Sequence, residues 1–204
     1  MGMTTDSLRE RKKRETRTAI VVAALELCER RGVEDVTVAD IAEAANISRR
    51  TFFNYFGTRE EAILGGSRQR AETIAALVAA RPTDEGPWDA VRRGYAQFLA
   101  EGGEPEREWL ARARLVRSNP SLLPQQRADF ARLEQALTEA LVARTGEQAD
   151  ALRLRLLVAA AVSAVRVAFN AWLDGEIDGP LSAALDDALH TVGSGFDRAP
   201  MHSP

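Results

Sequence analysis

The amino-acid sequence predicts an all-α protein of about nine helices. Apolar residues recur at the three- and four-residue spacing of helices along most of the 204 residues, and no segment shows the alternation of a β-strand. Glycine and proline interrupt this spacing where short connections are needed, for example at Gly102-Gly103 and Gly179-Pro180. A hydrophobic content of 45% in a chain of this length is enough to form a substantial core.

The first predicted helix begins near Arg11 or Thr16 and ends at Arg31, before Gly32. The residues of its apolar side are Ile20, Ala23, Ala24, Leu27 and Cys28. Cys28 lies on this side without a catalytic partner nearby in the sequence, so we expect it to be a core residue. Because it is the single cysteine, it excludes an internal disulfide.

Two short helices joined by a tight turn are predicted within residues 37–59. The first has one apolar face, formed by Val38, Ile41, Ala42 and Ala45. Thr37 can cap this helix, and after the turn at Asn46-Ile47 Ser48 can cap the second one.

The second short helix presents hydrogen-bonding side chains on the side opposite its apolar anchor. On a 3.6-residue period, Phe52 and Phe56 point towards the core, whereas Arg50 and Asn54 point away from it. Positions 49 and 53 on one side and 51 and 55 on the other flank this outward face. No acidic residue occurs from residue 46 to residue 59. Such a helix suits the major groove of DNA, although two amphipathic helices can also be simple scaffold.

The segment SRRTFFNYFGTREE, residues 48–61, closely resembles the recognition helix and its exit in the TetR/AcrR family of bacterial repressors. The resemblance extends from about Thr16 to Ile63. It implies an N-terminal arm and helix-turn-helix DNA-binding domain in residues 1–58, with a three-helix head, and a C-terminal effector-binding and dimerisation domain in residues 59–204.

The resemblance also implies roles for individual residues. Thr37, Tyr55 and Arg59 would contact phosphates. The residues that would face bases or the groove wall are Ser48, Arg49, Arg50, Thr51, Phe53 and Asn54. Position 53 is Phe where many relatives have Tyr, so it can make only an apolar contact, such as one with a thymine methyl group. Position 50 is Arg where small residues are common, which indicates a guanine contact.

Charge is distributed unevenly along the chain. The formal net charge is −3, and residues 1–66 contain eleven basic and eleven acidic residues, so the N-terminal part is not basic overall. Within it, Arg11, Lys12, Lys13 and Arg14 form the centre of a basic cluster in residues 9–17. We predict that this cluster contacts DNA phosphates, and a solvated N-terminal tail is the alternative.

Residues 58–80 predict a fourth helix, and the Pro- and Gly-rich residues 81–87 separate it from the next one. Further helices are predicted over residues 106–117, 122–144 and 147–174, with a last one ending near Phe196.

The eighth and ninth predicted helices, which are the last two, are too apolar to be covered within one chain, so we predict that they form a homodimer interface with their symmetry mates. An ordinary buried helix is the alternative, and in proteins that resemble TetR these two helices do form the dimer interface. Two symmetric copies of a reading helix predict an inverted-repeat operator in double-stranded DNA.

A tentative effector pocket is predicted among the helices of the C-terminal domain. Its residues are Tyr95, Phe98, Trp109, Phe130, Arg166, Phe169 and Asn170. For each aromatic residue taken alone, core packing is the favoured role, and Arg166 could be a cationic anchor, a salt bridge or a dimer contact. The resemblance implies that a small molecule binds here and lowers DNA affinity. The fifth to ninth predicted helices are also similar to those of actinobacterial regulators such as the mycofactocin-system regulators, which respond to acyl-CoA.

Nothing in the sequence indicates catalysis. The two histidines, His190 and His202, do not provide a metal site or a catalytic triad, and we find no phosphate-binding glycine loop or cofactor motif. The longest apolar run, residues 156–162, is shorter than the roughly 20 residues of a membrane span, so we expect a cytoplasmic protein without a membrane segment. The sequence therefore predicts a DNA-binding regulator that is released from its operator by a small molecule and is not an enzyme. A ligand-independent activator or architectural DNA-binding protein is the alternative.

Overall fold

The computed structural model describes residues 4–65, 67–102, 107–145 and 150–197; the side chains of residues 4–7, 10, 107–109, 196 and 197 lie outside this description. The described residues form ten α-helices and one 3-10 helix, with no strand among them. The α-helices are α1 Thr4–Arg31, α2 Val38–Ala44, α3 Arg49–Phe53, α4 Arg59–Leu64, α5 Ser67–Ala79, α6 Pro87–Gly102, α7 Arg107–Ser118, α8 Leu123–Thr145, α9 Ala151–Leu173 and α10 Leu181–Asp197. The 3-10 helix is Pro120–Leu122. The predicted all-α class is confirmed.

The chain divides into two compact units. The first unit comprises Met1–Ser67 and Glu106–Ala128, and the second comprises Arg68–Pro105 and Asp129–Pro204. The first unit thus takes α7, the 3-10 helix and the start of α8 from the later part of the chain. The predicted boundary between a DNA-binding domain, residues 1–58, and an effector-binding and dimerisation domain, residues 59–204, concerns function and stays a prediction.

Helix α1 begins seven residues before the earlier of its two predicted starts, at Thr4 instead of Arg11. Residues 4–31 contain no glycine or proline, and an Arg11–Glu15 pair at helical spacing, 3.4 Å between charged atoms, favours continuation of the helix. The basic cluster is therefore on a helix and not in an irregular tail.

The predicted fourth helix is divided into α4 and α5 at Gly65. Glycine has a low helix propensity, and the sequence has two of them in a row at positions 65 and 66. The break at Gly65 therefore lies where the sequence favours a helix least. The backbone also runs so close to Val21 that a Cβ atom at position 65 would lie 2.3 Å from a methyl carbon of that residue. The carbonyl group of Gly65 accepts a hydrogen bond of 2.8 Å from Arg112 of α7.

The core of the first unit is formed by α1 to α4 together with α7 and the 3-10 helix. Its largest fully buried residues are Ile20, Val33, Val36, Ile41, Phe52, Phe56, Ile63 and Leu122. Cys28 is buried in the same core, and burial raises the pKa of its thiol to about 11. This confirms the prediction that Cys28 is a core residue. The Ser121 hydroxyl also hydrogen-bonds the Glu34 carboxylate at 2.6 Å.

The second unit has its own core between α5, α6, α8, α9 and α10. Trp88 of α6 donates from its indole nitrogen to the carbonyl oxygen of Leu189 in α10 at 3.1 Å. A Cβ atom at Gly193 would lie 2.0 Å from that indole nitrogen, so α6 can approach α10 this closely only because residue 193 is a glycine. Arg92 and Asp186 add an ion pair of 2.9 Å between the same two helices.

Helix α9 carries a large apolar surface that this chain leaves uncovered. By length and composition it is the one described helix that could cross a membrane, yet only 28% of that window is buried. Leu152, Leu156 and Val167 are 62%, 58% and 58% exposed. Core helices of soluble proteins that pass the same test are mostly buried, whereas this face of α9 is open, as is typical of a surface that binds a partner.

The connection between α5 and α6 is held by a cluster of charged residues. The carboxylate of Glu85 accepts hydrogen bonds from Arg81 and Arg93, and Arg144 of α8 donates to the carbonyl groups of Arg81 and Pro82. The hydrogen bond from Arg81, with the charges of Arg81 and Arg93, lowers the pKa of Glu85 to about 2, although its partial burial acts in the opposite direction.

We predict that Glu85 contributes to stability in a pH-dependent manner. Because its pKa is lower in the folded chain than the ordinary value of 4.5, its contribution is complete above about pH 4.5 and is lost as the pH falls towards 2. Glu85→Gln should therefore lower the free energy of unfolding at neutral pH, and its difference from wild type should disappear near pH 2, as measured by urea unfolding with circular dichroism. Glu101→Gln is the matched control, because Glu101 is exposed and pairs only with Gln97 in the described hydrogen bonds. A difference that stays constant from neutral pH to pH 2 would contradict the prediction.

Candidate nucleic-acid interface

The start of α2 is closed by a capping box. Thr37 accepts a hydrogen bond from the Asp40 amide at 3.2 Å, and the Asp40 carboxylate accepts one from the Thr37 amide at 2.8 Å. The hydrogen bond from the Thr37 side chain is the main cause that lowers the pKa of Asp40, and Arg31 adds an ion pair of 3.2 Å. Thr37 is exposed at the surface, and its predicted phosphate contact stays a prediction.

The turn between α2 and α3 depends on an unusual backbone conformation at Asn46. Its φ of +52° is the one positive value at a non-glycine residue in the described part of the chain. Asparagine tolerates this left-handed region better than most residues. The backbone amide of Asn46 donates to the carbonyl oxygen of Glu43 at 3.0 Å, and that of Ile47 donates to the carbonyl oxygen of Ala42 at 2.9 Å. Helix α2 therefore ends here, and the chain reverses into α3.

Helix α3 is short and is fixed at both ends. Ser48 caps its start by accepting from the Thr51 amide at 3.0 Å, as predicted from the sequence. Phe52 and Phe56 are 0% and 1% exposed, with ring centroids 5.9 Å apart, and they anchor the segment in the core of the first unit. The predicted anchor is therefore confirmed.

The opposite side of α3 is open to solvent. Arg49, Arg50, Phe53 and Asn54 are exposed, and Thr51 and Tyr55 are half-buried. Phe53 is 52% exposed and packs edge-on against Phe52, with the ring centroids 5.4 Å apart. The structure thus brings six of the predicted residues onto one surface that contains two cations, amide and hydroxyl groups and one apolar ring.

Arg17 has a role at this site that the sequence pattern did not predict. It donates to the carbonyl oxygen of Tyr55 at 3.1 Å, and its guanidinium carbon lies 4.3 Å from the centroid of the Phe56 ring. Arg17 therefore connects α1 to the end of residues 48–56, which correspond to the predicted recognition helix and its exit and are called the recognition segment below. A signal existed in its spacing of three and four residues from Ile20 and Val21, which places Arg17 near the buried side of α1.

Arg59 is engaged largely within the protein. It donates to the carbonyl oxygens of Val33 and Val36 at 3.0 and 2.8 Å, and it pairs with Glu60 at 2.9 Å. These bonds attach the start of α4 to the connection between α1 and α2. The predicted phosphate contact of Arg59 stays a prediction.

The basic cluster lies on an exposed part of α1. Lys12, Lys13 and Arg14 are exposed, and Arg11 forms its pair with Glu15 at the surface. Arg11 and Arg14 also line an open groove of about 670 Å³ that extends to Asn46 at the turn before α3. The cluster and the turn thus border one concave surface of the first unit.

The predicted pocket residues lie in different environments. Tyr95 is buried, Phe98 and Phe130 are half-buried and pack against the same core cluster, and Arg166 is exposed on α9. Phe169 and Asn170 are half-buried. The side chain of Trp109 lies outside the described residues.

Comparisons with known proteins agree with this geometry. The family model for bacterial regulatory proteins of the tetR family matches residues 20–63, and the model for the MftR C-terminal domain matches residues 85–197. The transcriptional regulator TcmR of Streptomyces glaucescens is 32% identical over 195 residues, which cover 91% of this chain and 86% of TcmR. The chain belongs to the TetR family. The resemblance of residues 16–63 to this family is therefore confirmed.

Two further members of the TetR family are similar to this protein over most of its length. A regulator assigned to mycofactocin biosynthesis, MftR of Mycobacterium tuberculosis, is 25% identical over 86% of this chain and 88% of its own. The crystal structure of the TetR-family repressor FadR of Thermus thermophilus, in complex with lauroyl-CoA, has a TM-score of 0.53 and 25% identity, covering 92% of this chain and 97% of FadR. TetR-family regulators are soluble proteins that bind DNA operators, dimerise and bind small-molecule effectors. This protein is accordingly a DNA-binding transcriptional regulator.

Proposed function

We propose that this TetR-family protein is a cytoplasmic repressor that binds an inverted-repeat operator as a homodimer and is released by a small-molecule effector. The observation that carries the proposal is the surface of α3, where Phe52 and Phe56 are buried and the opposite side chains are open to solvent. A helix held in this way can enter the major groove and occlude a promoter.

Direct reading of bases is assigned to the outward side chains of α3. Arg50 is exposed and can make the bidentate contact with guanine that arginine favours. Phe53 offers an exposed ring without a hydrogen-bonding group, which suits a thymine methyl group. Asn54, Arg49, Ser48 and Thr51 complete the surface towards bases or the groove wall.

Phosphate contacts are assigned to the residues around this surface. The exposed basic residues of α1, at positions 11–14, can reach the DNA backbone, and Thr37 and Tyr55 lie at the start of α2 and the end of the recognition segment. Arg59 has five N–H donors, of which three already serve Val33, Val36 and Glu60, and its charge is paired with Glu60, so only part of its guanidinium group is left for a phosphate.

The homodimer is assigned to α9 and α10, the structural counterparts of the eighth and ninth predicted helices. The uncovered apolar side chains of α9, Leu152, Leu156 and Val167, are the surface that a second copy would bury. In a dimer with twofold symmetry, this face of α9 in one copy would pack against the same face in the other copy. Arg166 is exposed near Val167, so we assign it to this interface or its rim and not to the interior of the second unit.

The effector is assigned to the second unit, whose residues 85–197 match the MftR C-terminal domain. T. thermophilus FadR binds lauroyl-CoA, and its similarity to this chain supports an effector with a long apolar part. Binding would favour a conformation in which the two heads no longer fit successive major grooves. Acyl-CoA, whose acyl chain is apolar, and molecules that are apolar throughout are both compatible with this assignment.

The proposed function is tested by selecting bound sequences from random double-stranded DNA and footprinting the result. We expect an inverted repeat, protection on one side of the duplex, and lower operator affinity when an effector is present. Footprints without a repeat, or transcription that rises with occupancy, would favour an architectural protein or an activator. Turnover of a bound small molecule would favour an enzyme.

We predict that Arg50→Ala weakens operator binding by about 1 to 3 kcal/mol and relaxes the preference at one operator position in each half-site. The measurement is the affinity for the operator and for variants substituted at each position, at constant salt. Arg30→Ala, also exposed but at the far end of α1, is the control and should leave the affinity unchanged. Equal weakening on all sequences would show that Arg50 contacts only phosphate.

We predict that Leu156→Glu dissociates the homodimer. Burial of an unpaired carboxylate costs several kcal/mol, and twofold symmetry applies this cost twice, so the dimer dissociation constant should rise by at least roughly tenfold. Analytical ultracentrifugation measures the change, and operator affinity should fall with it. Val142→Glu, at an exposed position of α8, is the control. An intact dimer in the Leu156 variant would place the interface elsewhere.

A further inference from the structure

Among the described residues, the core cluster of the second unit contains one hydroxyl group, that of Tyr95. Trp88, Val91 and Tyr95 are spaced three and four residues apart on α6, so they share a buried face. Tyr95 is 4% exposed and belongs to the cluster that α6 forms with α5, α8, α9 and α10. Its ring therefore lies inside the unit to which the effector is assigned.

The hydroxyl oxygen of Tyr95 is buried and has no hydrogen-bond partner among the described residues. A buried donor without a partner loses its hydrogen bonds to water and gains nothing in return, and such groups are rare in folded proteins. Burial also raises the pKa of Tyr95, so the phenol stays protonated and can donate. A group that enters this part of the core with an acceptor atom would remove the cost.

The surroundings restrict the charge of that acceptor. No charged side chain is buried in the described part of the chain, and Arg166, the predicted cationic anchor, is exposed. A carboxylate beside Tyr95 would thus be a buried charge without a fully buried cation to balance it, which is more costly than a neutral oxygen. The half-buried rings of Phe98 and Phe130 border the same cluster and offer apolar contacts to the rest of a ligand.

We propose that Tyr95 donates a hydrogen bond to a neutral carbonyl oxygen of the effector, whose remaining buried surface is apolar. This inference rests on the proposed function, since it assigns the chemistry of the effector in that model. The carbonyl group can belong to an aliphatic chain or to an aromatic ketone, and Tyr95 recognises the oxygen in either case.

The test uses three small molecules of defined chemistry on the full chain without DNA. The probes 2-dodecanone and benzophenone carry the neutral carbonyl group on an aliphatic and an aromatic body, and dodecanoate is the charged counterpart of the first. Binding is measured from the rise in melting temperature and from tryptophan fluorescence, because Trp88 lies two turns from Tyr95 on α6. Tyr95→Phe removes only the hydroxyl group. Thr138→Val is the matched control, since the Thr138 hydroxyl group already donates to the backbone carbonyl oxygen of Glu134 in the same helix at 2.8 Å.

We expect at least one ketone to bind the wild-type protein, and 2-dodecanone to bind more tightly than dodecanoate. Tyr95→Phe should weaken ketone binding by roughly 3- to 10-fold, while its melting temperature without ligand stays equal or rises, since an unpaired group has been removed. Thr138→Val should bind the ketone as wild type does.

The proposal is overturned if neither ketone binds, if Tyr95→Phe binds as tightly as wild type, or if dodecanoate binds more tightly than 2-dodecanone. The ketone that binds more tightly shows whether the carbonyl group of the effector belongs to an aliphatic chain or to an aromatic ketone. Because these measurements need no DNA, they separate this inference from the proposed function. If the protein bound a ketone through Tyr95 but selected no operator sequence, the proposed repressor function would be contradicted and the inference about Tyr95 would stand.

Discussion

The burial of Phe52 and Phe56 is the interaction on which the proposed DNA-binding surface of α3 depends. Helix α3 has five residues, too few to be stable in isolation, so its direction is set by the two rings and by the contacts that hold them. Because a helix repeats every 3.6 residues, anchoring one side turns Arg50 and Asn54 to solvent. Arg17 then attaches α1 to the end of this segment through Tyr55 and Phe56.

The first unit shows how an acidic protein can carry a surface for DNA. Several of its carboxylates are engaged by neighbouring groups of the chain: Asp40 accepts from the Thr37 amide in the capping box of α2, Glu60 pairs with Arg59, and Glu61 accepts from the Gly57 amide before α4 at 2.8 Å. Acidic residues in the first turn of a helix also suit its dipole. Lys12, Lys13 and Arg14 of α1 and Arg49 and Arg50 of α3 are exposed, so in the proposed function binding would depend on the local placement of cations and on dimer symmetry, and not on net charge.

The second unit has two unfavourable features, one on its surface and one in its core, that are consistent with a ligand-responsive dimer. Outside, α9 exposes leucine and valine side chains that a second copy would bury. Inside, Tyr95 holds a donor without an acceptor among the described residues. Both features lower the stability of the isolated chain, since exposed apolar surface and unpaired buried groups are unfavourable. Association and effector binding would each remove one of these costs.

The sequence by itself determined the all-α class, the caps at Thr37 and Ser48, and the inward and outward sides of α3, because these follow from helical spacing and local hydrogen bonding. It also carried the family, through residues 48–61. Only the tertiary structure decided that Arg17 supports the recognition segment, that Arg59 is largely occupied by Val33 and Val36, and that the Tyr95 hydroxyl group has no hydrogen-bond partner among the described residues. These depend on groups that are distant in sequence and meet only when the helices pack, and helical spacing within one segment contains no information about such neighbours.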